Sequence, residues 1–434
     1  MNALKKKHPW NILILPAASE VGLEICRALR DCKEVILHGA NQPGQSLADF
    51  YFQKVHVLPR IDQPEFWTAA AQLIHELKID AIFPAHDEVI ETLGQNPGRL
   101  AVPVMTSTAG TCRVCRSKKR TYEILRGVVP VPEIIADAHA NKMWPRFAKP
   151  ECGQGSRRAR RFDDAATLQA ALAAEPDLLV TEYLPGAEYT VDCFSQPGRG
   201  LLYAQARERR ETKAGIAVRT SPVELEETQN YAAAIDRKIP FTGAWFFQLK
   251  AAADGTLKIL EVAPRIAGSS ALSHALGPNL PLLSLYVAAG YDVEIAATPA
   301  PDLMLGRGFD VKFIDNRPMA ALYVDYDDTL IVRGAVNTRL VALIFNCRNR
   351  QIPVKLITRH AGDLQASLTQ HRLAGLFDQI IHIIDPTQPK APFITEPDAV
   401  LIDDSFRERQ ETAKTRGIRC YDPAAALSLL DERI

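Results

Sequence analysis

Short apolar runs alternate with helix-like segments in the first part of the chain. The runs that predict strands lie at 11–15, 34–38 and 79–83. The segments that predict helices lie at 18–31 and 65–78. This strand–helix–strand rhythm is typical of a parallel sheet covered by helices. We therefore expect an α/β domain over residues 1–105.

A later apolar run, at Tyr323 and Val324, ends in two carboxylates one residue apart, Asp325 and Asp327, followed by Thr329. Alternate side chains of a strand share a face. Both carboxylates are thus expected at the carboxyl end of a strand, where open α/β sheets bind their ligands. One carboxylate can attack a phosphoryl group while the other transfers a proton. Taken alone, the pattern also fits a turn with acidic caps.

Further segments downstream carry the residue types that phosphoryl chemistry needs. One apolar run ends in Thr358, another ends in Asp403 and Asp404, and Lys390 lies between them. A transferring phosphoryl group needs a lysine and a cation beside a carboxylate nucleophile. Mg²⁺ prefers carboxylates and waters as ligands. Together these segments favour phosphoryl transfer over the turn alternative.

In this order the motifs resemble those of the haloacid dehalogenase (HAD) superfamily of phosphatases. The resemblance implies Asp325 as the nucleophile and Asp327 as the general acid and base, with Thr358 and Lys390 holding the phosphoryl oxygens. The implied magnesium ligands are Asp325, Asp327, Asp403 and Asp404. The intervals between the motifs leave little room for a cap domain. We therefore expect a capless, Rossmann-like HAD domain over residues 318–434.

The middle of the chain has a strand-like run that delivers Lys149 and continues into a loop containing Gly153, Gly155 and Ser156. Glycine lets backbone N–H groups approach phosphates without interference from a Cβ atom. The loop alone fits a plain hairpin turn equally well.

Two apolar runs, over 244–249 and 257–262, predict a hairpin that turns near Gly255. Cross-strand alternation would place Gln248 and Glu261 on one face of this hairpin. Carboxylate and amide oxygens are suitable ligands for a hard cation.

With the Glu-Tyr-Leu-Pro-Gly stretch that starts at Glu182, and with Arg265 after the hairpin, these segments resemble the ATP-grasp superfamily. The carbamoyl-phosphate-synthetase-like and amino-acid-ligase-like branches are the most similar. The resemblance covers about residues 1–311. It implies a pre-ATP-grasp α/β domain over 1–105 and an ATP-grasp domain over 106–311.

The resemblance also implies roles for single residues. The implied ATP-binding residues are Lys118, Lys149, Gly153, Gly155, Ser156, Glu182, Leu184 and Glu188. The two lysines and the glycine loop would contact the phosphates, Glu182 and the Leu184 backbone the adenine edge, and Glu188 the ribose. Gln248 and Glu261 would hold Mg²⁺. Arg265 would face the acyl-phosphate or the substrate carboxylate.

Ala263 departs from the family pattern, which usually has Asn two residues after the metal-binding Glu. An alanine side chain cannot ligate a cation, which puts a second Mg²⁺ and full ligase activity in doubt, although one metal with more waters could still bind. The alternative function is a catalytically inactive ATP-binding domain that regulates the phosphatase.

Two interpretations are open for a group of three arginines, and two for one aspartate. Either some of Arg207, Arg209 and Arg219 clamp an anionic substrate, or they belong to a solvated, charged loop. Asp87 either lines a substrate cleft or caps the helix that follows it.

Composition narrows the class of protein. The 434 residues include 51 Lys+Arg and 51 Asp+Glu, a balance that argues against nucleic acid or an anionic membrane as the main partner. Eight scattered cysteines fit a reducing cytoplasm, and Cys112-x-x-Cys115 has no second pair to complete a zinc site. The apolar run near the start is too short for a signal peptide or a membrane span.

We therefore predict a bifunctional cytoplasmic enzyme with a mixed α/β and α+β fold. Its first two domains would be an ADP-forming carboxylate–amine ligase that uses ATP, with Mg²⁺ or Mn²⁺, and an acyl-phosphate intermediate. Its third domain would be a magnesium-dependent phosphomonoester hydrolase. The expected partners are a small carboxylate, an amine and a phosphomonoester. Whether the chain forms a homodimer is left open.

Overall fold

The computed structural model describes residues 4, 9–136, 144–153, 155, 158–299, 302–308 and 311–434. The chain divides into two units, one of residues 1–309 with Ile434 and one of residues 310–433. The first unit spans both domains predicted before residue 311, and the boundary between them at residue 105 stays a prediction.

The first unit begins with a parallel sheet flanked by helices, as the hydrophobic pattern predicts. Its strands are β1 Trp10–Leu15, β2 Val35–Asn41, β3 Val55–Val57 and β4 Ala81–Pro84, in the order β3-β2-β1-β4. The helices are α1 Glu20–Leu29, α2 Glu65–Glu76 and α3 Asp87–Gln95, and a short 3₁₀ helix spans Leu47–Phe50. The three predicted strands and two predicted helices of this region are confirmed, with ends shifted by a few residues. β3 was not predicted.

Side chains of β1 alternate between two hydrophobic cores. Ile12 and Ile14 pack into one core, and Leu13 and Leu15 pack into the other. Successive side chains of a strand point to opposite faces. The first sheet is therefore covered on both faces, as expected for a parallel sheet.

Two helices and a small antiparallel sheet follow. The helices are α4 Ala109–Arg116 and α5 Lys118–Leu125. The strands are β5 Arg146–Pro150, β6 Arg160–Phe162 and β7 Leu178–Glu182, in the order β6-β5-β7, and α6 Ala165–Ala174 packs beside them. The hydroxyl of Ser117 accepts a hydrogen bond from the Arg120 N–H and so caps α5.

The rest of the first unit is built on a six-stranded antiparallel sheet in the order β12-β11-β8-β9-β10-β13. Its strands are β8 Glu188–Gln196, β9 Gly200–Lys213, β10 Ile216–Pro222, β11 Gly243–Ala251, β12 Leu257–Ala263 and β13 Leu305–Gly306. Its helices are α7 Glu227–Lys238, α8 Ala271–Ala275 and α9 Leu280–Ala288. Trp245, Phe247 and Leu249 of β11 share a core with Ala232 and Ile235 of α7. Gln248 therefore lies on the opposite face.

The second unit is a parallel sheet between helices. Its strands are β14 Leu322–Val324, β17 Val354–Thr358, β18 Gln379–His382, β19 Val400–Ile402 and β20 Arg419–Tyr421. They lie in the order β18-β17-β14-β19-β20. A separate two-stranded sheet pairs β15 Ile331–Val332 with β16 Ala335–Val336. The helices are α10 Thr338–Asn349, α11 Leu364–Gln370 and α12 Phe406–Arg416, with 3₁₀ helices at Ala391–Phe393 and Pro423–Leu429.

Numbered along this sheet, the order is 3-2-1-4-5, which is that of a doubly wound fold. In such folds the order reverses beside the first strand, and ligands bind outside the carboxyl ends of the strands at that point. In the second unit this point lies between β14 and β19. Among the described residues, no helix is long and apolar enough to cross a membrane.

Candidate functional site

One cavity in the first unit brings together residues that are far apart in the sequence. It has a volume of ≈ 420 Å³ and lies between the small sheet and the six-stranded sheet. The predicted residues that line it are Lys118, Lys149, Gly153, Gly155, Glu182, Leu184, Glu188, Gln248 and Glu261. Ser156 was predicted for the same site and lies outside the described residues. We refer to this space as the main cavity.

Lys118 connects helix α5 to the glycine loop. Its Nζ atom donates to the carbonyl oxygens of Pro150, at 3.3 Å, and Gly153, at 3.0 Å. Its backbone N–H donates to Glu151 O at 3.1 Å. The loop that starts at Gly153 is therefore held beside a cationic side chain.

Lys149 points from β5 into the main cavity but is almost completely buried. Its Nζ atom donates to the Tyr122 hydroxyl at 2.7 Å and to Leu260 O at 3.2 Å. Burial lowers the pKa of Lys149 to about 7, the Lys118 charge lowers it further, and the carboxylates of Glu261 and Glu188 oppose the shift. The nearby carboxylates therefore only partly offset the cost of burying the Lys149 ammonium.

The carboxylates of Glu182 and Glu188 already have partners. Glu182 Oε1 accepts from the Glu133 N–H at 2.7 Å and from Lys258 Nζ at 2.6 Å. Glu188 pairs with Arg209 at 2.8 Å and with Lys250 at 3.4 Å. The sequence alone gave no reason to select Lys250 or Lys258. The antiparallel pairing of β8 with β11 places Lys250 directly opposite Glu188.

Gln248 and Glu261 are directly opposite each other on β11 and β12, as the predicted hairpin requires. Both are half-buried and both line the main cavity. Ala263, two residues after Glu261, is buried in an apolar cluster with Phe246 and Ala267. The Ala263 side chain therefore offers no ligand to a cation.

Arg265 lies beside a small ionic recess that it shares with Asp87, Glu91, Arg116 and Glu261. Its Nε atom donates to Asp87 Oδ1 at 2.5 Å, and Arg116 Nε donates to Glu91 at 3.1 Å. Burial would raise the pKa of Asp87, but the guanidinium of Arg265 overcomes this and lowers it.

This geometry decides between the two interpretations of Asp87. The residue that caps α3 is His86, and Asp87 is the first residue within the helix. The predicted capping role is therefore wrong, because the Asp87 carboxylate is committed to Arg265 instead. The cleft-lining interpretation agrees with the structure.

The predicted arginine group separates into different environments. Arg207 is buried, and its guanidinium donates to Asp192 Oδ2 at 2.8 Å and to Ser269 Oγ at 2.8 Å. Both the solvated-loop interpretation and a free anion clamp are therefore wrong for Arg207. Arg209 pairs with Glu188, whereas Arg219 is exposed on β10 and fits the solvated interpretation.

In the second unit, polar residues converge at the point where the strand order reverses. Asp325 follows β14, and Asp403 and Asp404 follow the neighbouring strand β19. Carboxylate oxygens of these three residues all lie within 4.8 Å of one another. Lys390 Nζ lies 2.6 Å from both Asp325 Oδ1 and Asp403 Oδ2. Thr358 ends β17, next to β14, and is fully buried.

Thr329 links the two acidic strand ends. Its hydroxyl donates to Asp325 Oδ2 at 3.2 Å and accepts from the Asp404 N–H at 2.9 Å. Burial raises the pKa of Asp325 to about 7, the Lys390 charge opposes this, and the nearby Asp403 adds to it. Three carboxylates around one ammonium leave excess negative charge, which fits a divalent cation.

Asp327 lies apart from this carboxylate group and is not within its metal-ligating distance. Its side chain is 53% exposed, and both of its oxygens lie 3.0–3.1 Å from His360 Nδ1. His360 was not predicted, because no motif connects it with Asp327. It follows Thr358 and Arg359 at the carboxyl end of β17.

A second unpredicted contact holds the segment that carries Lys390. Glu408 is buried, accepts from the Lys390 N–H at 3.2 Å and pairs with Arg359 at 2.5 Å. Arg359 also donates to the carbonyl oxygens of Pro386 and Gln388 at 3.2 and 3.3 Å. Arg359 and Glu408 therefore fix the backbone just before and at Lys390.

The comparisons with known proteins concern mainly the ATP-grasp resemblance. A family model described as "ATP-grasp in the biosynthetic pathway with Ter operon" matches residues 174–306, all in the first unit. No curated protein shows a significant match to the chain.

Several solved structures share the fold at low sequence identity. The biotin carboxylase domain dimer of Hydrogenobacter thermophilus 2-oxoglutarate carboxylase, in complex with ADP, magnesium and bicarbonate, has a TM-score of 0.55 at 14% identity, over 66% of this chain and 71% of that chain. The L-amino acid ligase of Bacillus licheniformis has a TM-score of 0.52 at 18% identity, over 65% and 75%. The N5-carboxyaminoimidazole synthetase of Staphylococcus aureus has a TM-score of 0.53 at 16% identity, over 68% and 80%.

These structures show a common mixed α/β fold with parallel sheets. The HAD resemblance of the second unit stays a prediction. Over residues 174–306 the family-model match supports a relationship to the ATP-grasp superfamily, and the solved structures add that the fold is shared.

Proposed function

We propose that the first unit is an ATP-dependent carboxylate–amine ligase and that the second is a magnesium-dependent phosphomonoester hydrolase. The observation that carries the ligase proposal is the main cavity, which collects two lysines, a glycine loop, two further carboxylates and the Gln248–Glu261 pair. Related folds have been solved with ADP and magnesium, which is consistent with ATP and Mg²⁺ for this chain.

The residues of the main cavity fit a nucleotide and one cation. Lys118 and Lys149 would bind phosphate oxygens, and the buried Lys149 gains a counter-charge when they arrive. Tyr183 and Phe147 provide aromatic walls, with ring centroids 6.5 Å apart. Gln248 and Glu261 would hold Mg²⁺, which neutralises charge on the transferring phosphoryl group.

The reaction would proceed in two transfers. An oxygen of the substrate carboxylate attacks the γ-phosphorus of ATP, and ADP leaves. The amine then attacks the carbonyl carbon of the acyl-phosphate, phosphate leaves, and the amine loses a proton. Arg265, at the edge of the ionic recess beside Glu261, would hold the carboxylate before transfer and the acyl-phosphate afterwards.

The group of Asp325, Asp403, Asp404 and Lys390 carries the phosphatase proposal. Asp325 would attack the phosphorus of a phosphomonoester, and Lys390 and Thr358 would bind the phosphoryl oxygens. Asp327 would donate a proton to the leaving oxygen and later accept one from water. The three-carboxylate group would hold Mg²⁺.

The phosphatase test is hydrolysis of p-nitrophenyl phosphate by the full chain with Mg²⁺. We expect Asp325→Asn to reduce the rate at least a thousandfold. Chelation of Mg²⁺ should have a similar effect. Equal rates for Asp325→Asn and the wild-type chain would exclude this assignment.

A regulatory ATP-binding domain is the second candidate for the first unit. Ala263 favours it, because this position lies in an apolar cluster and cannot ligate a second cation. This alternative predicts tight ATP binding without ADP formation in the presence of any carboxylate and amine. The ligase predicts ADP formation that starts with a carboxylate and needs the amine as well for repeated turnover.

A further inference from the structure

Arg265 lines a second cavity in addition to the ionic recess. This cavity has a volume of ≈ 220 Å³, and we call it the apolar cavity. Among the residues that line it are Val21, Ile25, Phe83, Met105, Ile266 and Ala288. They come from α1, α9, the end of β4 and the segments around residues 105 and 266. One arginine is therefore shared by an ionic and a hydrocarbon surface.

Three hydroxyl-bearing residues line the apolar cavity, Thr106, Thr242 and Ser284, and the hydroxyls of Thr106 and Ser284 are already bonded. Thr106 Oγ1 donates to Pro264 O at 3.2 Å. Ser284 Oγ donates to Leu280 O at 2.8 Å and accepts from the Ala244 N–H at 3.2 Å. These groups offer little to a charged ligand, so the cavity is suited to a hydrocarbon group.

The position of the apolar cavity also indicates a ligand. The first sheet has the order β3-β2-β1-β4, which reverses beside β1. Phe83 and Pro84, at the carboxyl end of β4, line the apolar cavity, and Asp87 just beyond them lines the ionic recess. Both cavities thus lie at the point where open α/β sheets bind their ligands.

The volume fits a side chain of ordinary size. An apolar cavity of about 150 Å³ is enough to bind benzene. At ≈ 220 Å³, the apolar cavity can accept a branched aliphatic or phenyl group.

We propose that the apolar cavity binds the hydrocarbon body of the carboxylic acid that the first unit activates, with its carboxylate at Arg265. The substrate class is then an amino acid or other monocarboxylic acid with a branched aliphatic or phenyl group. This inference rests on the proposed ligase function and adds the identity of the acid.

The test uses the full chain with Asp325→Asn, which removes the proposed phosphatase background. ADP formation is measured with ATP, Mg²⁺ and a fixed mixture of amines. The acids compared are leucine, phenylalanine, alanine, serine and glutamate. We expect kcat/KM for leucine or phenylalanine to exceed that for serine or glutamate at least tenfold.

A cavity-filling variant tests whether the acid binds in the apolar cavity. Ala288→Leu should raise KM for leucine and phenylalanine at least tenfold, change KM for alanine less than twofold and leave ADP binding unchanged. Ala234→Leu, on helix α7 in a different core, is the matched control and should change none of these values. Ile25→Ala, which enlarges the cavity, should instead favour tryptophan and serves if Ala288→Leu does not fold.

The outcomes separate this inference from the proposed function. ADP formation that prefers serine or glutamate, or that neither cavity variant alters, would overturn the inference and leave the ligase intact. Absence of ADP with every acid would overturn the ligase. In that case calorimetric binding of leucine that Ala288→Leu weakens tenfold would still support the cavity, and no binding would reject it.

Discussion

Lys149 shows how burial prepares a single side chain for a ligand. Its ammonium lies among Tyr122, Leu260 and Lys118, with no carboxylate in direct hydrogen-bond contact among the partners described. The unfavourable desolvation appears as a pKa of about 7 instead of the usual value near 10.5. A phosphate group arriving at Lys149 would stabilise the charged form and raise this pKa again.

Nucleotide binding should therefore be coupled to proton uptake. At pH 8 Lys149 is mostly neutral in the free protein, so binding of MgADP should take up close to one proton. At pH 6 it is already charged, and uptake should approach zero. Titration calorimetry in buffers of different ionisation enthalpy measures the number of protons. Lys149→Met should abolish the difference between the two pH values, and an unchanged difference would contradict the role of Lys149.

Glu408 is expected to act through Lys390 and not on the substrate itself. Its buried carboxylate holds the Lys390 N–H and Arg359. Loss of a partner that orients the surroundings of a metal site typically reduces activity 10- to 100-fold, and Lys390 contacts two of the proposed metal ligands, Asp325 and Asp403. We expect Glu408→Gln to lower kcat for p-nitrophenyl phosphate by about this factor, with KM changed less than threefold.

Glu411→Gln is the matched control for this experiment, because Glu411 lies on the same helix, α12, and is not fully buried. It should leave kcat unchanged. If Glu408→Gln and Glu411→Gln behaved alike, the contact between Glu408 and the Lys390 segment would have no role in catalysis.

At the scale of elements, the sequence patterns predicted contacts between strands that follow each other in the chain. They missed contacts between segments that are far apart in the chain. The opposition of Gln248 and Glu261 follows from strand alternation across a hairpin, and the structure has that register. The burial of Arg207 could not be predicted, because its partner Ser269 lies on a distant loop. Likewise, β3 has only three residues and no clear alternating pattern.

Arg207 and Asp192 form a buried ion pair that connects β8 and β9 to the loop before α8. Removing one partner leaves an uncompensated buried charge, which typically costs about 3–5 kcal/mol. We expect Arg207→Met to lower the free energy of unfolding by about this amount. All four tryptophans lie in the first unit, so urea unfolding followed by tryptophan fluorescence reports on it.

Arg219→Met provides the comparison, because Arg219 is exposed on the neighbouring strand β10. Exposed substitutions usually change stability by less than about 0.5 kcal/mol. Equal effects of the two variants would show that Arg207 is not a structural residue.

At the scale of the whole molecule, the sequence predicted the site residues that belong to local motifs better than the residues that support them across the fold. The acidic strand ends of the second unit were recognisable because they follow apolar runs directly. His360 and Glu408 were not, because their roles depend on contacts across the fold. The ionic recess and apolar cavity were missed for the same reason, since their walls come from several separate segments.

The two proposed activities should be separable within the full chain. Asp325 and Lys149 belong to different units. We expect Asp325→Asn to remove phosphatase activity and retain ADP formation, and Lys149→Ala to do the reverse. Loss of both activities in either single variant, with the protein still folded, would contradict two independent active sites.

The central claim is that the first unit consumes ATP to join a carboxylate to an amine. The most direct measurement is ADP formation by the Asp325→Asn chain with ATP, Mg²⁺ and pooled carboxylates and amines. The ligase predicts repeated turnover of ATP to ADP only when both pools are present, and loss of this turnover in Lys149→Ala and in Glu261→Gln. Tight ATP binding with no ADP from any pool would contradict the ligase and favour a regulatory ATP-binding domain.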